Sequence, residues 1–302
     1  MNTQQLQYRA KSFGLLWRSD IEIEHIAAAV FDEGRADVVI GQVERLAERI
    51  PIHQINRGFV YPDGFRFDWN GVATFDMFDG SRIDYCPGPQ WTGTLPWPFY
   101  STVTALLLAW RGALPFHGCA VSVGGQGILI CGDSGAGKSS LAAALVAEGA
   151  KFISDDLSVV VPDQDGDAWN LVSGRSGIRL FPAVGQWFFG DDTKCLPDDP
   201  RGKIIAVPRN VMDESSAPLR HIIFLGSPAN PMTAIGRFIR LRKNLFRPNW
   251  LGKLPNIATI RVAVRDISAS THITAQPAIG QTDEYALRQR AISIIDKVRQ
   301  II

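Results

Sequence analysis

The sequence has little cysteine and no long apolar run. Its four cysteines, among 302 residues, are widely spaced and form no CxxC pair. This spacing argues against a disulfide framework or a zinc site and is typical of a reducing cytoplasm. The densest apolar run, Val103 to Trp110, is too short to cross a bilayer. The opening residues contain no apolar signal-peptide segment, so we expect a cytoplasmic protein with no membrane partner.

The chain also lacks an excess of charge of either sign. It carries 31 basic and 30 acidic side chains, for a formal net charge of +1. Such a balance provides no broad basic field, so we expect no specific nucleic-acid binding. Hydrophobic residues make up 46% of the chain, which is the composition of a globular protein with one large domain or two ordinary ones.

The most informative motif is a complete phosphate-binding loop, Gly-x4-Gly-Lys-Ser, which begins at Gly132. An apolar run at 127–131 precedes it and predicts a buried strand, and the helix formers at 141–148 follow it. Strand, glycine loop and helix are the arrangement that phosphate binding requires. The predicted nucleotide-binding residues are Gly132, Asp133, Ser134, Gly135, Ala136, Gly137, Lys138, Ser139 and Ser140.

In such a loop the backbone amides turn towards an anion, and the helix N-terminus adds a favourable dipole. Lys138 is expected to reach the β- and γ-phosphates, and the Ser139 hydroxyl to ligate Mg²⁺. The predicted ligands are therefore ATP and Mg²⁺.

Two further features near the loop carry chemistry. Asp155 and Asp156 lie at the end of a predicted strand that starts at 151–153, where an acid can hold Mg²⁺ or accept a proton from a hydroxyl. His117 lies in an apolar stretch. A core histidine and a catalytic histidine both fit that pattern.

The first hundred residues read differently from the rest. Alternating apolar runs between 59 and 85 are separated by Pro-Asp-Gly, Asn-Gly and Asp-Gly turns, which predict a hairpin meander. A Pro- and Gly-rich stretch at 87–98 follows. We therefore predict a β-rich domain at 1–100 and an α/β domain at 101–302, the latter ending in an amphipathic helix from residue 283.

The segment from His117-Gly118 to Asp155-Asp156 resembles the catalytic core of the HPr kinase/phosphorylase family. The resemblance implies an α/β fold with a P-loop kinase core of the HPr kinase type. It also implies that His117 lies beside the transferred phosphoryl group and that Asp155 is the base towards an acceptor serine. Asp156 would then support His117 or, with Ser139, the metal ion.

The chain departs from the family pattern in places. Ser140 stands where the family usually has glutamate, and residues 173–182 replace its Arg-Gly-Leu-Gly segment. In this it looks like a divergent branch of HPr kinase-like proteins found beside ribosomal peptide clusters, some of which phosphorylate lasso-peptide precursors. From this resemblance we therefore expect neither HPr itself as the acceptor nor the reverse phosphorolysis reaction.

Basic residues after the core are candidate clamps for phosphate or for an acceptor carboxylate. They are Arg175, Arg179, Arg201, Lys203 and Arg209. A basic amphipathic stretch at 237–247 suits either docking of an acidic peptide or second subunit, or a solvated helix face.

The predicted function is transfer of the γ-phosphoryl group of ATP to a serine of a peptide or small protein, by a serine kinase. Two alternatives stay open. One is a kinase of a small hydroxylated metabolite such as free serine, and the other is a non-catalytic ATP-binding regulator. Association of the chain into a homo-oligomer is also left open.

Overall fold

A computed structural model describes residues 6–24, 26–166, 168–195, 201–212, 215–226, 232–280 and 283–301. The strands of this part of the chain are β1 (Tyr8–Ser12), β2 (Leu15–Ser19), β3 (Ala27–Ala28), β4 (Val38–Gln42), β5 (His53–Ile55), β6 (Gly58–Tyr61), β7 (Gly64–Trp69), β8 (Ala73–Phe78), β9 (Arg82–Pro87), β10 (Leu114–Phe116), β11 (Gly118–Val123), β12 (Gln126–Gly132), β13 (Lys151–Ser154), β14 (Ser158–Pro162), β15 (Trp169–Val172), β16 (Ile178–Leu180), β17 (Thr193–Cys195), β18 (Ile204–Ala206), β19 (Ser216–Leu225) and β20 (His272–Gln276).

The α-helices of the same residues are α1 (Thr104–Trp110), α2 (Lys138–Ala147), α3 (Pro182–Phe189), α4 (Ala234–Asn244), α5 (Pro248–Leu251), α6 (Ile257–Ser270) and α7 (Glu284–Ile301). A turn of 3-10 helix spans Glu33–Arg35, and a π-helical turn, Phe99–Val103, leads into α1. The protein is thus of mixed α/β class with an N-terminal β-sheet. Among these helices none is long and apolar enough to span a membrane.

The chain divides into two compact units. The first comprises 1–115 and 246–263, and the second comprises 116–245 and 264–302. Compact units are not the same as independently folding domains, so the division into 1–100 and 101–302 stays a prediction.

The first unit contains a sheet of nine strands among the described residues, in the order β3-β1-β2-β4-β9-β8-β7-β6-β5. Strands β6 to β9 form the predicted antiparallel meander, and their turns fall at the Pro-Asp-Gly, Asn-Gly and Asp-Gly sequences. Alternate side chains point to the core, where Trp17, Phe65 and Phe75 are at most 1% exposed. The β1–β2 hairpin extends the same sheet.

A buried ion cluster lies on this sheet. The side chain of Asp76 on β8 is fully buried and accepts hydrogen bonds from the guanidinium groups of Arg49 and Arg66. Arg66 lies opposite Asp76 in the β7–β8 register, and Arg49 stacks 3.9 Å from the ring centre of Tyr61. Burying a carboxylate is costly unless it is paired and hydrogen-bonded, and the two arginines meet that requirement.

The second unit is built on a sheet whose order is β14-β15-β19-β12-β11-β13. β20 pairs in parallel with the C-terminal half of β19. Helix α2 lies on this sheet, and its residues Leu141 to Leu145 are completely buried. They pack with α7, whose residues Leu287, Ala291 and Val298 belong to the same core. The strand, loop and helix predicted around the phosphate loop are β12, the 133–137 loop and α2, and the predicted C-terminal helix is α7.

Three adjacent strands of this sheet bring distant segments together at one end of the strands. β11 lies between β12 and β13 and is antiparallel to both, with Gly118 opposite Cys131 and Ala120 opposite Ser154. β12 and β13 therefore run in the same direction, and both end where β11 begins. A Cβ atom at Gly118 would lie 2.7 Å from the Ile130 carbonyl oxygen, so glycine allows this close strand approach.

We predict that Asp76→Ala lowers the free energy of unfolding by about 3–5 kcal/mol, because it leaves two guanidinium groups without their buried partner. The matched control is Glu48→Ala, which breaks a pair with Arg45 whose side chains are 88% and 81% exposed. That change should cost less than about 1 kcal/mol. Urea unfolding followed by circular dichroism measures both. Equal effects of the two variants would contradict the prediction.

Candidate active site

The phosphate loop joins the end of β12 to the start of α2. Gly135 and Gly137 have φ of 84° and 91°, which is the left-handed region that favours glycine. A Cβ atom at Gly137 would also lie 2.5 Å from the Cβ of Ile279. The Ile279 amide donates to the Ala136 carbonyl at 2.9 Å, so the segment before α7 packs directly on the loop.

Lys138 is the first residue of α2 and is 8% exposed. Its Nζ donates to the carbonyl oxygens of Gly132 at 2.9 Å and Asp133 at 3.2 Å. The ammonium group is therefore held across the mouth of the loop, at the helix N-terminus where anions bind.

Asp155 directly follows β13 and faces Ser139. Its Oδ1 accepts a hydrogen bond from Ser139 Oγ at 2.9 Å, and the Cys119 thiol donates to the same oxygen at 2.7 Å. Its Oδ2 accepts from the Arg179 backbone amide at 2.8 Å. These hydrogen bonds hold the Asp155 carboxylate beside the Ser139 hydroxyl, which lies in the first turn of α2.

Asp156 turns away from its neighbour and faces His117. It has φ of 66°, and the Leu157 amide donates across it to the Asp155 carbonyl at 2.8 Å, which makes a tight three-residue turn. His117 Nδ1 lies 3.4 Å from Asp156 Oδ1 and 3.2 Å from the Asp156 carbonyl oxygen. The two consecutive carboxylates therefore have different partners, Ser139 for Asp155 and His117 for Asp156.

Burial lowers the pKa of His117 below its ordinary value of 6.5, and the nearby Lys138 lowers it further. The Asp156 carboxylate opposes this effect by favouring the imidazolium. The net direction is downward, so His117 is mainly neutral at pH 7. Burial also lowers the pKa of Lys203, against the attraction of Asp155.

These groups line one cavity of about 580 Å³. Its ionisable lining comprises Lys138, Arg179, Arg201, Lys203, Asp155, Asp156, His117 and Cys119. Cations outnumber carboxylates, so the lining suits an anionic ligand. Its apolar side includes Phe181, Val184, Trp187 and Ile279.

The cavity brings together most of the residues predicted from the sequence. Loop residues Ser134, Gly135, Gly137, Lys138, Ser139 and Ser140 line it, as do Asp155, Asp156 and His117. Gly132, Asp133 and Ala136 belong to the loop but are not lining residues. Of the basic candidates, Arg175 and Arg209 are not lining residues either, and Arg209 forms an exposed ion pair with Asp192.

Sequence reasoning missed Asn244, the last residue of α4. Its side-chain oxygen accepts from the Gly132 amide at 3.0 Å, and its carbonyl accepts from the His117 amide at 2.9 Å. Lys243 also pairs with Asp133 at 3.2 Å. The end of the basic stretch is therefore tied to the phosphate loop and to His117. No local sequence signal marks Asn244, because its two partners lie more than a hundred positions away.

No group of three or more His, Cys, Asp and Glu side chains forms a ready-made metal cage within the described ranges. The oxygen donors next to the loop are Ser139 and Asp155. A cation held there needs its other ligands from elsewhere, as Mg²⁺ does when it binds with a substrate's phosphates.

Comparison with known proteins places the resemblance on this part of the chain. The family described as "HPr Serine kinase C-terminal domain" matches residues 112–173, which run from β10 to β15. HPr kinase/phosphorylase of Chloroherpeton thalassium is 38% identical over 69 residues, covering 23% of this chain and 20% of that protein. The same enzyme of Mycoplasmopsis pulmonis is 59% identical over 44 residues, or 15% and 14% of the two chains.

A solved structure, the Hpr(Ser) kinase/phosphatase from Coxiella burnetii, is 18% identical and covers 39% of this chain and 69% of its own. Its TM-score of 0.27 is too low to support an argument about shared architecture.

The chain spans about a fifth or less of the length of the curated relatives described above. The lasso-peptide branch is not shown by these similarities. The segment that matches contains His117, the phosphate loop and both aspartates, and for that segment the predicted resemblance to the HPr kinase/phosphorylase family is confirmed.

Proposed function

We propose that this chain transfers the γ-phosphoryl group of ATP to a serine hydroxyl of a peptide or small protein, on a P-loop core of the HPr kinase type. One observation carries the proposal. The phosphate loop, the Ser139–Asp155 pair and the His117–Asp156 pair line the same cavity. The family matched over residues 112–173 supports ATP as the phosphate donor.

The nucleotide's phosphates fit the loop side of the cavity. Lys138 Nζ is held at the mouth of the loop, and α2 begins there, so an ammonium group and a helix N-terminus both face the space. Arg179, Arg201 and Lys203 line the same cavity and add positive charge. These groups stabilise the charge that spreads over the transferred oxygens in the transition state.

The donor set beside the loop suits Mg²⁺. Ser139 Oγ and Asp155 Oδ1 are oxygen donors 2.9 Å apart, and a hard cation prefers such ligands. Ser139 and Asp155 would hold the ion, which when bound neutralises charge on the phosphate oxygens. This assigns to Asp155 the metal-holding part that the sequence resemblance gave to Asp156.

Asp156 is then the acceptor-side base. Its carboxylate is 24% exposed and lies against His117, which is 40% exposed, so an incoming hydroxyl can reach both. Asp155 is already engaged by three donors from Ser139, Cys119 and Arg179. Asp156 accepts the serine proton, and neutral His117 donates or accepts a hydrogen bond beside it. The roles of the two aspartates are the reverse of those implied by the resemblance.

A peptide or small-protein acceptor is supported by the accessibility of this pair. The alternatives differ in what they require: free serine would need groups that bind its ammonium and carboxylate, and a regulator would need no base. The paired His117 and Asp156 favour catalysis over simple binding. A ribosomal peptide precursor is the acceptor suggested by the sequence resemblance alone.

Transfer of ³²P from γ-labelled ATP to a library of serine peptides, with free serine in parallel, tests the proposal. We expect labelled peptide, and at least about a 10²-fold loss in Lys138→Ala because a transition-state contact is removed. Arg209→Ala is the control, since its exposed guanidinium pairs with Asp192 and does not line the cavity. Label on free serine alone would favour the metabolite kinase, and ATP binding without any transfer would favour the regulator.

Substitutions at the two aspartates should affect different kinetic and binding parameters. Asp156→Asn keeps the size of the side chain but cannot take a proton, so we expect kcat to fall about 10²- to 10⁴-fold with ATP affinity unchanged. Asp155→Asn should instead raise the Mg²⁺ concentration needed for half-maximal ATP binding. Calorimetry and transfer rates measure both variants. The reverse pattern would restore Asp155 as the base.

The protonation state of His117 gives a test that needs no acceptor. Nuclear magnetic resonance titration should give His117 a pKa below 6.5, because burial disfavours the imidazolium. In Asp156→Asn the pKa should fall further, since the carboxylate that favours the charged form is gone. Asp133→Asn, which changes an exposed carboxylate beside the loop, should leave it unchanged. A rise in Asp156→Asn would contradict the pairing.

A further inference from the structure

We propose that a second cavity, in the second compact unit, binds a small organic carboxylate with an apolar body. This cavity has a volume of about 690 Å³ and is lined by residues of β19, β20 and α7. It shares no described lining residue with the cavity at the phosphate loop. A cavity of this size suits one small-molecule ligand. The inference goes beyond the proposed kinase activity and does not depend on it.

The register of two parallel strands places two histidines side by side in the cavity lining. His221 on β19 lies opposite His272 on β20, and their ring centres are 5.5 Å apart in an edge-to-face arrangement. Alternate residues of a strand share one face of the sheet, so Ile223 and Thr274 continue the same lining. The cavity wall is therefore part of the sheet and is fixed by its hydrogen bonds.

His221 is an unsatisfied polar side chain in this lining. It is 5% exposed, and its Nε2 is buried with no hydrogen-bond partner in the part of the chain that the structure describes. Burial lowers its pKa, so the imidazole is neutral at pH 7 and carries one N–H. A buried polar atom without a partner is costly, and an oxygen of a bound anion satisfies it when Nε2 carries the proton.

Arg290 on α7 supplies the positive charge. Its Nε donates to Gln276 Oε1 at 2.9 Å and its Nη2 donates to the Pro277 carbonyl oxygen at 2.6 Å, and both acceptors are neutral. Burial lowers the pKa of Arg290, because its guanidinium is partly withdrawn from water. No carboxylate belongs to the lining within the described ranges. The charge of this guanidinium is therefore left for a ligand to neutralise.

The other lining residues select the class of anion. Lys297 is an exposed second cation, and Ile223, Ile294 and Val298 form an apolar wall in which each residue is at most 5% exposed. A carboxylate with an apolar body matches both parts of this lining. A doubly charged phosphate suits it less, because the lining takes residues 290–300 from the C-terminal half of α7. Phosphate groups are bound best at the opposite end of a helix.

Calorimetric titration of the full chain with octanoate and with octan-1-ol tests the proposal. The two probes have the same apolar chain and differ in the charge of the head group. We expect one octanoate per chain, bound at least about tenfold more tightly than octan-1-ol, because only the carboxylate forms charge-assisted hydrogen bonds. Octyl phosphate is the third probe. Equal binding of octan-1-ol, or tighter binding of octyl phosphate than of octanoate, would overturn the assignment to a carboxylate.

Variants on α7 locate the binding site. Arg290→Gln should weaken octanoate binding at least about tenfold and leave octan-1-ol binding unchanged. Arg288→Gln is the matched control and should bind like the wild type, because Arg288 is not a lining residue and already pairs with Glu148 and Glu284. Lys297→Gln changes an exposed position and should also weaken binding. Circular dichroism shows whether each variant is folded, and Lys297→Gln decides if Arg290→Gln is not.

Nuclear magnetic resonance provides a direct readout of the site. Octanoate should shift the ring signals of His221 and His272 and leave those of His117, in the other cavity, unchanged. Shifts at His117 alone, or wild-type affinity for octanoate in both Arg290→Gln and Lys297→Gln, would contradict the proposal. None of these measurements uses a nucleotide, so their failure leaves the kinase proposal standing. Failure of phosphoryl transfer likewise leaves this site standing.

Discussion

The candidate site depends on one arrangement of strands. β11 runs between β12 and β13 and opposite to both, so the end of each outer strand lies beside the start of β11. The phosphate loop, the paired aspartates and His117 come from these ends, and they lie far apart in sequence. Gly118 permits the approach of β11 to β12, because a side chain there would meet the Ile130 carbonyl. A shift in this register would separate the phosphate loop from the carboxylates even if the conformation of the loop stayed the same.

Within that arrangement, the left-handed conformation of Asp156 decides where the two consecutive carboxylates point. Two adjacent carboxylates in extended backbone would point to opposite faces of the strand. The turn at Asp156 instead sends Asp155 to Ser139 and Asp156 to His117, with both still lining the cavity. A non-glycine residue with this φ is costly and is often found at functional sites. In the proposed function, this turn gives one carboxylate to the cation and leaves the other beside the acceptor.

Much of this could be predicted where the sequence signal is local. The loop motif, the apolar run before it and the helix formers after it fixed β12 and α2 to within three residues, and the Asp-Gly and Asn-Gly turns located the β6–β9 meander. The hydrogen-bond partners of Asp155 and Asp156 could not be predicted from the residue pattern alone, because they depend on a single dihedral angle and on strand register. Asn244 and Ile279 contact the loop from distant segments, so no local sequence pattern predicts these contacts.

The central claim is that nucleotide, cation and acceptor base meet at the ends of β12 and β13. In this claim Asp155 holds the cation and Asp156 is the base. A crystal structure of the full chain with ADP and Mn²⁺, located by its anomalous scattering, tests it most directly. The account predicts Mn²⁺ on Ser139 Oγ and Asp155, the β-phosphate beside Lys138 Nζ, and Asp156 still paired with His117. Manganese on Asp156, or a nucleotide bound away from the loop, would contradict it.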